Sequence, residues 1–405
     1  MFKNIRNVLL KKENKVVIII IIIFFLYFII ADSIDIVIPL FFSEKRINIV
    51  FYGVLLSVTK IIRSIIIIPI SMQTVKNKMC LLKWNIIMDM LVLVLLSNTN
   101  SEIFIFIGFS ILIITTSVIN VILNPILGIK TDKNYIGTIF GIRDMFLYLG
   151  CFLGLVIVGK IKSISEKINI IWIFYFCIYV LIFLIIVKLD KEINRSNKIN
   201  EILDFENEKK KESKKKKFKT IISKELLYYL SIVFILGISG ACSNYVPLIT
   251  LEIGIKENSI FYLFSSSTCI TAILAIAGGI TIDKFNKKKL FQIDIIFFIV
   301  ILLLYCSTHP TVFIIAIIIS GLSSALNNVG NSYIFTNYLE DEINCFWGVI
   351  GSISLVSFSI GSIICGILYQ INYRYVFIFS IVLNILGLLM SIGMKDIEKG
   401  DKNSK

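Results

Sequence analysis

Charge is scarce in this 405-residue chain: Asp, Glu, Lys and Arg together make up 17% of it. A soluble domain keeps roughly 25% to cover its surface, so this chain lacks the polar material to face water on all sides. Histidine is nearly absent, with a single His309 beside Pro310 in a short expected loop. No His, Cys, Asp or Glu cluster has metal-ligand spacing, so no metal and no cofactor is expected. The eight cysteines are scattered, mostly inside apolar blocks (Cys151, Cys177, Cys269, Cys306, Cys365), where a free thiol behaves as a small hydrophobe. No Gly-x-x-x-x-Gly-Lys-Ser/Thr loop occurs, which argues against an ATP-driven pump. No nucleophile with a base, and no Asp-rich metal spacing, supports an enzyme. That class is set aside.

What the chain has is hydrophobic length. Apolar residues reach 57%, the mean hydropathy is +0.89, and the apolar residues come in blocks long enough to cross a hydrocarbon core of about 30 Å as helices. Lipid offers no partners to backbone N–H and C=O groups, so such blocks must be helical. The β-barrel alternative needs short alternating segments, and Val16–Ile30 does not alternate. The first block has no small-residue cleavage site and continues through Asp32 and Asp35 to Phe42, so it reads as the first span and not as a signal peptide. The expected fold is all-α, with twelve transmembrane helices at 16–42, 47–71, 79–97, 102–127, 135–159, 168–188, 225–251, 259–282, 290–308, 311–337, 344–369 and 374–394.

The net charge of +14 does not point to nucleic acid, because most of the 41 Lys and Arg fall in segments on one side of these spans. By the positive-inside rule both termini are cytoplasmic. The heavy use of Ile, Lys and Asn suits an AT-rich microbial genome and hence a prokaryotic plasma membrane. One connection is long: residues 189–224 are polar and carry Lys209, Lys210 and Lys211, then Lys214 to Lys217. It reads as a solvated tether, with attraction to anionic lipid headgroups as the alternative. It separates a bundle at 1–188 from a bundle at 225–405. The halves repeat: Phe51-Tyr52 aligns with Phe261-Tyr262, Lys78 with Lys288 and Gly141 with Gly351, all at one offset. Parallel repeats of this kind typify transporters that rock one half against the other around a central site.

After span eight comes Gly278-Gly279-Ile280-Thr281-Ile282-Asp283-Lys284-Phe285-Asn286-Lys287-Lys288-Lys289. This resembles the loop signature of the major facilitator superfamily, and the span count, central loop and repeat extend the resemblance over the chain. It implies two pseudo-symmetric six-helix bundles and secondary transport by alternating access. Gly279 would let a neighbouring helix approach, and Asn286 tolerates a left-handed turn. Lys284, Lys287 and Lys288 would anchor the loop on the inner face. Asp283, near the unfavourable end of its own helix dipole, would seek the positive start of span five near Tyr135–Thr138, an interaction worth about 0.3–1 kcal/mol. The matching loop in the first half has Gln73 in place of the acid, a weaker latch. Span five adds Gly141, Gly150, Gly154 and Gly159, which resemble the glycine pattern of the superfamily's drug–proton antiporters, although Leu155 and Val158 depart from it. Plain small-residue packing explains the same glycines equally well.

Ionisable side chains inside spans cost at least ~2.5–3.5 kcal/mol each on insertion scales, so each needs a partner or a role. The first half carries seven: Asp32, Asp35, Lys60, Arg63, Asp89, Arg143 and Asp144. Depth counting puts Asp32 within about 3 Å of the level of Lys60, with Asp89 competing for Lys60 and Arg63. Four carboxylates face three bases, so one acid lacks a full-time counter-ion and can carry a proton; Asp32 or Asp35 is the expected carrier. Substrate-charge recognition and structural pairing remain alternative roles. The second half has no comparable cluster, and Asp294 is expected near the inner edge. Uncharged groups expected at the cavity are Thr116, Asn120 and Asn124 of span four (with Thr115 and Ser117), Asn244 and Tyr245 of span seven, and Asn327, Asn328 and Asn331 of span ten (with Ser323 and Ser324).

The sequence therefore predicts a monomeric, proton-coupled transporter of a small organic solute, exporting amphipathic compounds. The alternative is uptake of a nutrient or organic anion bound by Lys60 and Arg63, and a non-transporting receptor on the same scaffold is a third reading.

Overall fold

The structure, a computed structural model, describes residues 15–71, 75–99, 101–130, 136–164, 169–197, 224–284, 287–326 and 340–394. The described residues form helices throughout. The first six are α1 (Lys15–Glu44), α2 (Ile49–Ser71), α3 (Val75–Asn98), α4 (Glu102–Lys130), α5 (Ile136–Ile164) and α6 (Asn169–Asn197). Span seven is broken: α7 (Lys224–Gly240) passes through a 3₁₀ turn (Ala241–Tyr245) into the short α8 (Val246–Glu252). The chain continues as α9 (Glu257–Lys284), α10 (Lys287–Tyr305), α11 (Pro310–Leu326), α12 (Glu340–Ile371) and α13 (Tyr373–Ile392). With α7 and α8 taken as one interrupted rod, these make the twelve spans expected. Ten are long and apolar enough to cross a membrane. The other two are α10, whose first turn is Lys287-Lys288-Lys289, and α11, whose apolar stretch Pro310–Ser323 is shorter.

α6 runs to Asn197, so the helix continues nine residues into the segment assigned to the tether; residues 198–223 lie outside the described structure. The break in span seven sits between Gly240 and Pro247, where missing side-chain bulk and a missing N–H both loosen the α-helical ladder.

Two helix pairs join the bundles: α2 runs along α12, and α5 along α9. The α2–α12 pair is antiparallel, with Asn48 meeting Gln370, Gly53 meeting Gly366, Ser57 meeting Ser359 and Ser64 meeting Ser352. A Cβ on Gly53 would fall 2.9 Å from the carbonyl oxygen of Ser362, so glycine there sets how closely the bundles approach. Within each bundle the same device recurs. A Cβ on Gly154 of α5 would lie 2.0 Å from the carbonyl oxygen of Ile29 on α1. A Cβ on Gly361 of α12 would lie 2.2 Å from that of Ile238 on α7. Gly141 and Gly351, by contrast, both face open space.

Candidate functional site: a charged cleft between the bundles

α1 is an inner helix, and its exposure pattern locates the cleft. Most of it is buried, but Ile18, Ile22, Phe25, Phe28, Asp32 and Asp35 are accessible at three- and four-residue spacing, hence on one side. Beyond Asp35 every residue from Ile36 to Phe42 is buried. The accessible stripe therefore starts at the end where α1 begins, inner on the charge-based orientation, and stops at mid-helix. At the opposite end of α1 the bundles meet. α1 packs on α8, the rings of Tyr52 and Tyr245 lie 5.7 Å apart in an edge contact, and Gln370 Nε2 donates to Asn48 Oδ1 at 2.8 Å.

Asp35 is exposed although it stands midway along a buried helix, so it lines this cleft. It lies within electrostatic reach of Lys60 and Arg63 of α2 and of Asp32. Neither base forms an ion pair among the described residues. Lys60 instead holds its ammonium 3.0 Å from the ring centroid of Phe358, on α12 of the other bundle. The Nε of Arg63 is buried and has no hydrogen-bond partner. A buried N–H without an acceptor is costly, so the Nε of Arg63 leaves an open polar demand at this place.

The other charged residues separate into distinct groups. Asp32 turns to α5, where the thiol of Cys151 contacts it and Tyr148 lies near. Depth left the partner of Lys60 open; rotation about α1 turns Asp35, not Asp32, towards it. Asp89 is fully buried and accepts a 2.6 Å hydrogen bond from Thr115 Oγ1, with Tyr179 beside it. It does not compete for Lys60 and Arg63 as expected. Arg143 and Asp144 pair with each other on α5, and Arg143 Nη1 donates to Asn124 Oδ1 at 2.6 Å while stacking on Phe140 and Phe24.

Of the uncharged candidates, Asn124 is engaged by Arg143 as above. Thr116 donates to the carbonyl of Ile113 within its own helix, and Asn120 is half-buried. Asn244 and Tyr245 lie in the 3₁₀ break. The Asn244 carbonyl accepts from Tyr52 at 3.4 Å and its side-chain nitrogen is buried without a partner, while Tyr245 donates to the Ser362 carbonyl at 2.7 Å. Asn327, Asn328, Asn331 and Gln73 lie outside the described residues, as do the surroundings of Gly279 and the side chains of Asp283, Lys284 and Lys287, and with them the latch to span five. Lys288 is described, half-buried at the start of α10.

Sequence reasoning missed Phe358 and the Ser57–Ser359 contact at 2.6 Å, and it placed Asp294 near the inner edge without giving it a partner. Asp294 of α10 accepts from Ser323 of α11 at 3.1 Å. The second half thus does carry a carboxylate engaged inside the bundle. Its counterpart is Asp89 with Thr115, and the shared signal was an acid on the third span of each half facing a hydroxyl on the fourth.

Three of the four glycines in the span-five pattern are explained by close packing. Gly150 and Gly154 press on α1, and Gly159 presses on Phe261 and Tyr262 of α9.

A sequence model described as Major Facilitator Superfamily matches residues 229–405, the second bundle. A search of curated proteins found no significant match. Among solved structures, a crystal structure of a variant of the nucleoside transporter NupG aligns with a TM-score of 0.69 at 12% sequence identity, covering 94% of this chain and 99% of that one. At that identity the likeness speaks for architecture alone, and on that ground the fold of this chain is that of the major facilitator superfamily.

Proposed function

We propose that this protein is a secondary active transporter of a small organic solute, working by alternating access and driven by protons through Asp35. The observation that carries the reading is the exposure of Asp35 at the blind end of a cleft between two bundles, facing two bases with which it makes no ion pair. A carboxylate in that position is reached by water from one side, and its charge changes the balance of the cleft whenever a proton binds. The closed outer contacts and the inward stripe on α1 correspond to one of the two states that such a mechanism alternates between. Export of drug-like compounds rests on the glycine pattern of α5, which packing explains for three of its four glycines, and the paired bases Lys60 and Arg63 speak instead for an anionic solute. The fold neighbour carries a nucleoside, and uridine is a suitable neutral probe of the same cleft.

The test is transport in proteoliposomes with an imposed pH gradient. Asp35→Asn should abolish gradient-driven accumulation while leaving equilibrative exchange of solute. Asp35→Asn retaining full gradient-driven transport would show that the proton is carried elsewhere.

A further inference from the structure

We propose that the space bounded by Asp35, Lys60 and Arg63 binds the anionic group of a small organic anion, which enters together with a proton on Asp35. This rests on the transporter reading above and adds the substrate class and the coupling partner. Lys60 and Arg63 stand one turn apart on α2, and both lie within electrostatic reach of Asp35. Lys60 Nζ sits on the aromatic face of Phe358 and makes no ion pair with Asp35 among the described residues, and Arg63 Nε is buried without an acceptor. A carboxylate or phosphate group supplies what both lack: a pair of oxygens for the guanidinium fork and a charge for the ammonium.

The charges around the space set the coupling. Groups facing Asp35 are Asp32 and Tyr27 on α1, Lys60, Arg63 and Tyr52 on α2, Cys151 on α5 and Tyr175 on α6. Apart from hydroxyls and a thiol, that leaves two acids and two bases, a set that is neutral when fully ionised. A proton on Asp35 leaves one base without a counter-charge, and an anion restores neutrality. Binding one anionic charge therefore takes up one proton, and a monovalent anion crosses without net charge movement. No bond is made or broken. Asp35 acts as the internal anion that the substrate replaces.

The experiment uses the purified full-length protein and thermal stabilisation by benzoate, succinate and glycerol phosphate, with uridine as the neutral probe and tetraphenylphosphonium as the cationic one. The expected result is stabilisation by the anions that strengthens with acidity, by up to about tenfold in affinity per pH unit. Arg63→Gln should weaken it by at least about tenfold, with partial recovery in Arg63→Lys, which separates lost recognition from lost folding. Asp35→Asn should bind the anions with little dependence on pH. If uridine or tetraphenylphosphonium stabilises the protein and no anion does, this inference is wrong and the transporter reading stands. If no probe binds and none is accumulated by proteoliposomes, both fall.

Discussion

The hydroxyl of Thr115 donates a 2.6 Å hydrogen bond to the carboxylate of Asp89 across the α3–α4 contact. Its counterpart in the other bundle is Ser323 with Asp294, across α10 and α11. Thr115 and Ser323 stand at the same distance into their helices, counted from Glu102 and Pro310. Each bundle thus ties its third span to its fourth with an acid and a hydroxyl, outside the cleft that holds Lys60 and Arg63.

Asp89 is wholly buried, and one of its oxygens has no partner. Removing the donor by Thr115→Val should lower the melting temperature of the purified protein, consistent with a loss of about 1–3 kcal/mol. Asp89→Asn keeps the shape and an acceptor for Thr115, so it should melt near the wild-type temperature and still transport. Loss of transport in a well-folded Asp89→Asn protein would move the proton site from α1 to α3.

The glycines of α5 offer a second comparison. A Cβ at Gly154 meets the Ile29 carbonyl oxygen at 2.0 Å, which only backbone movement can relieve; a Cβ at Gly141 meets nothing within 4 Å. Gly154→Ala should therefore destabilise by about 1–3 kcal/mol, and Gly141→Ala should stay within about 0.5 kcal/mol of wild type. Thermal melting of both variants checks this. Equal effects would mean that the pattern has a role beyond packing.

The helical architecture was legible because its signal is compositional: apolar blocks long enough to cross a bilayer must be helical in lipid. Rotation about each helix was not. Asp32 and Asp35 lie three residues apart, so both stood at a plausible level for Lys60, yet only Asp35 reaches it while Asp32 meets Cys151. Nor could the sequence show which serines of α2 and α12 meet, since that depends on the register of two helices nearly three hundred residues apart. The break in span seven did have a signal, Gly240 with Pro247, which a count of apolar residues passes over.

The outer contact between the bundles can be locked. Asn48 and Gln370 are joined by a 2.8 Å side-chain hydrogen bond at the start of α2 and the end of α12. Cysteines at both positions, with the native thiols replaced, should form a disulfide that blocks transport, and reduction should restore it. If alternating access opens this contact, the cross-linked protein will still bind solute from the inner side. A cross-linked protein that transports at the normal rate would rule out opening along α2 and α12.

Lys162 in the last turn of α5 separates stability from conformational balance. It reaches Glu44 of its own bundle at 3.3 Å and Glu257 of the other at 3.0 Å. Both acids are partly exposed, so each pair is worth no more than about 1 kcal/mol and weakens with salt. Lys162→Gln should therefore leave the melting temperature nearly unchanged. Only the Glu257 contact must break when the bundles part on the outside, so its loss favours the outward-open state by up to about fivefold. Labelling of a cysteine placed in the outer cleft should speed up accordingly in Lys162→Gln and in Glu257→Gln. It should not do so in Glu44→Gln, because that contact stays within one bundle throughout the cycle.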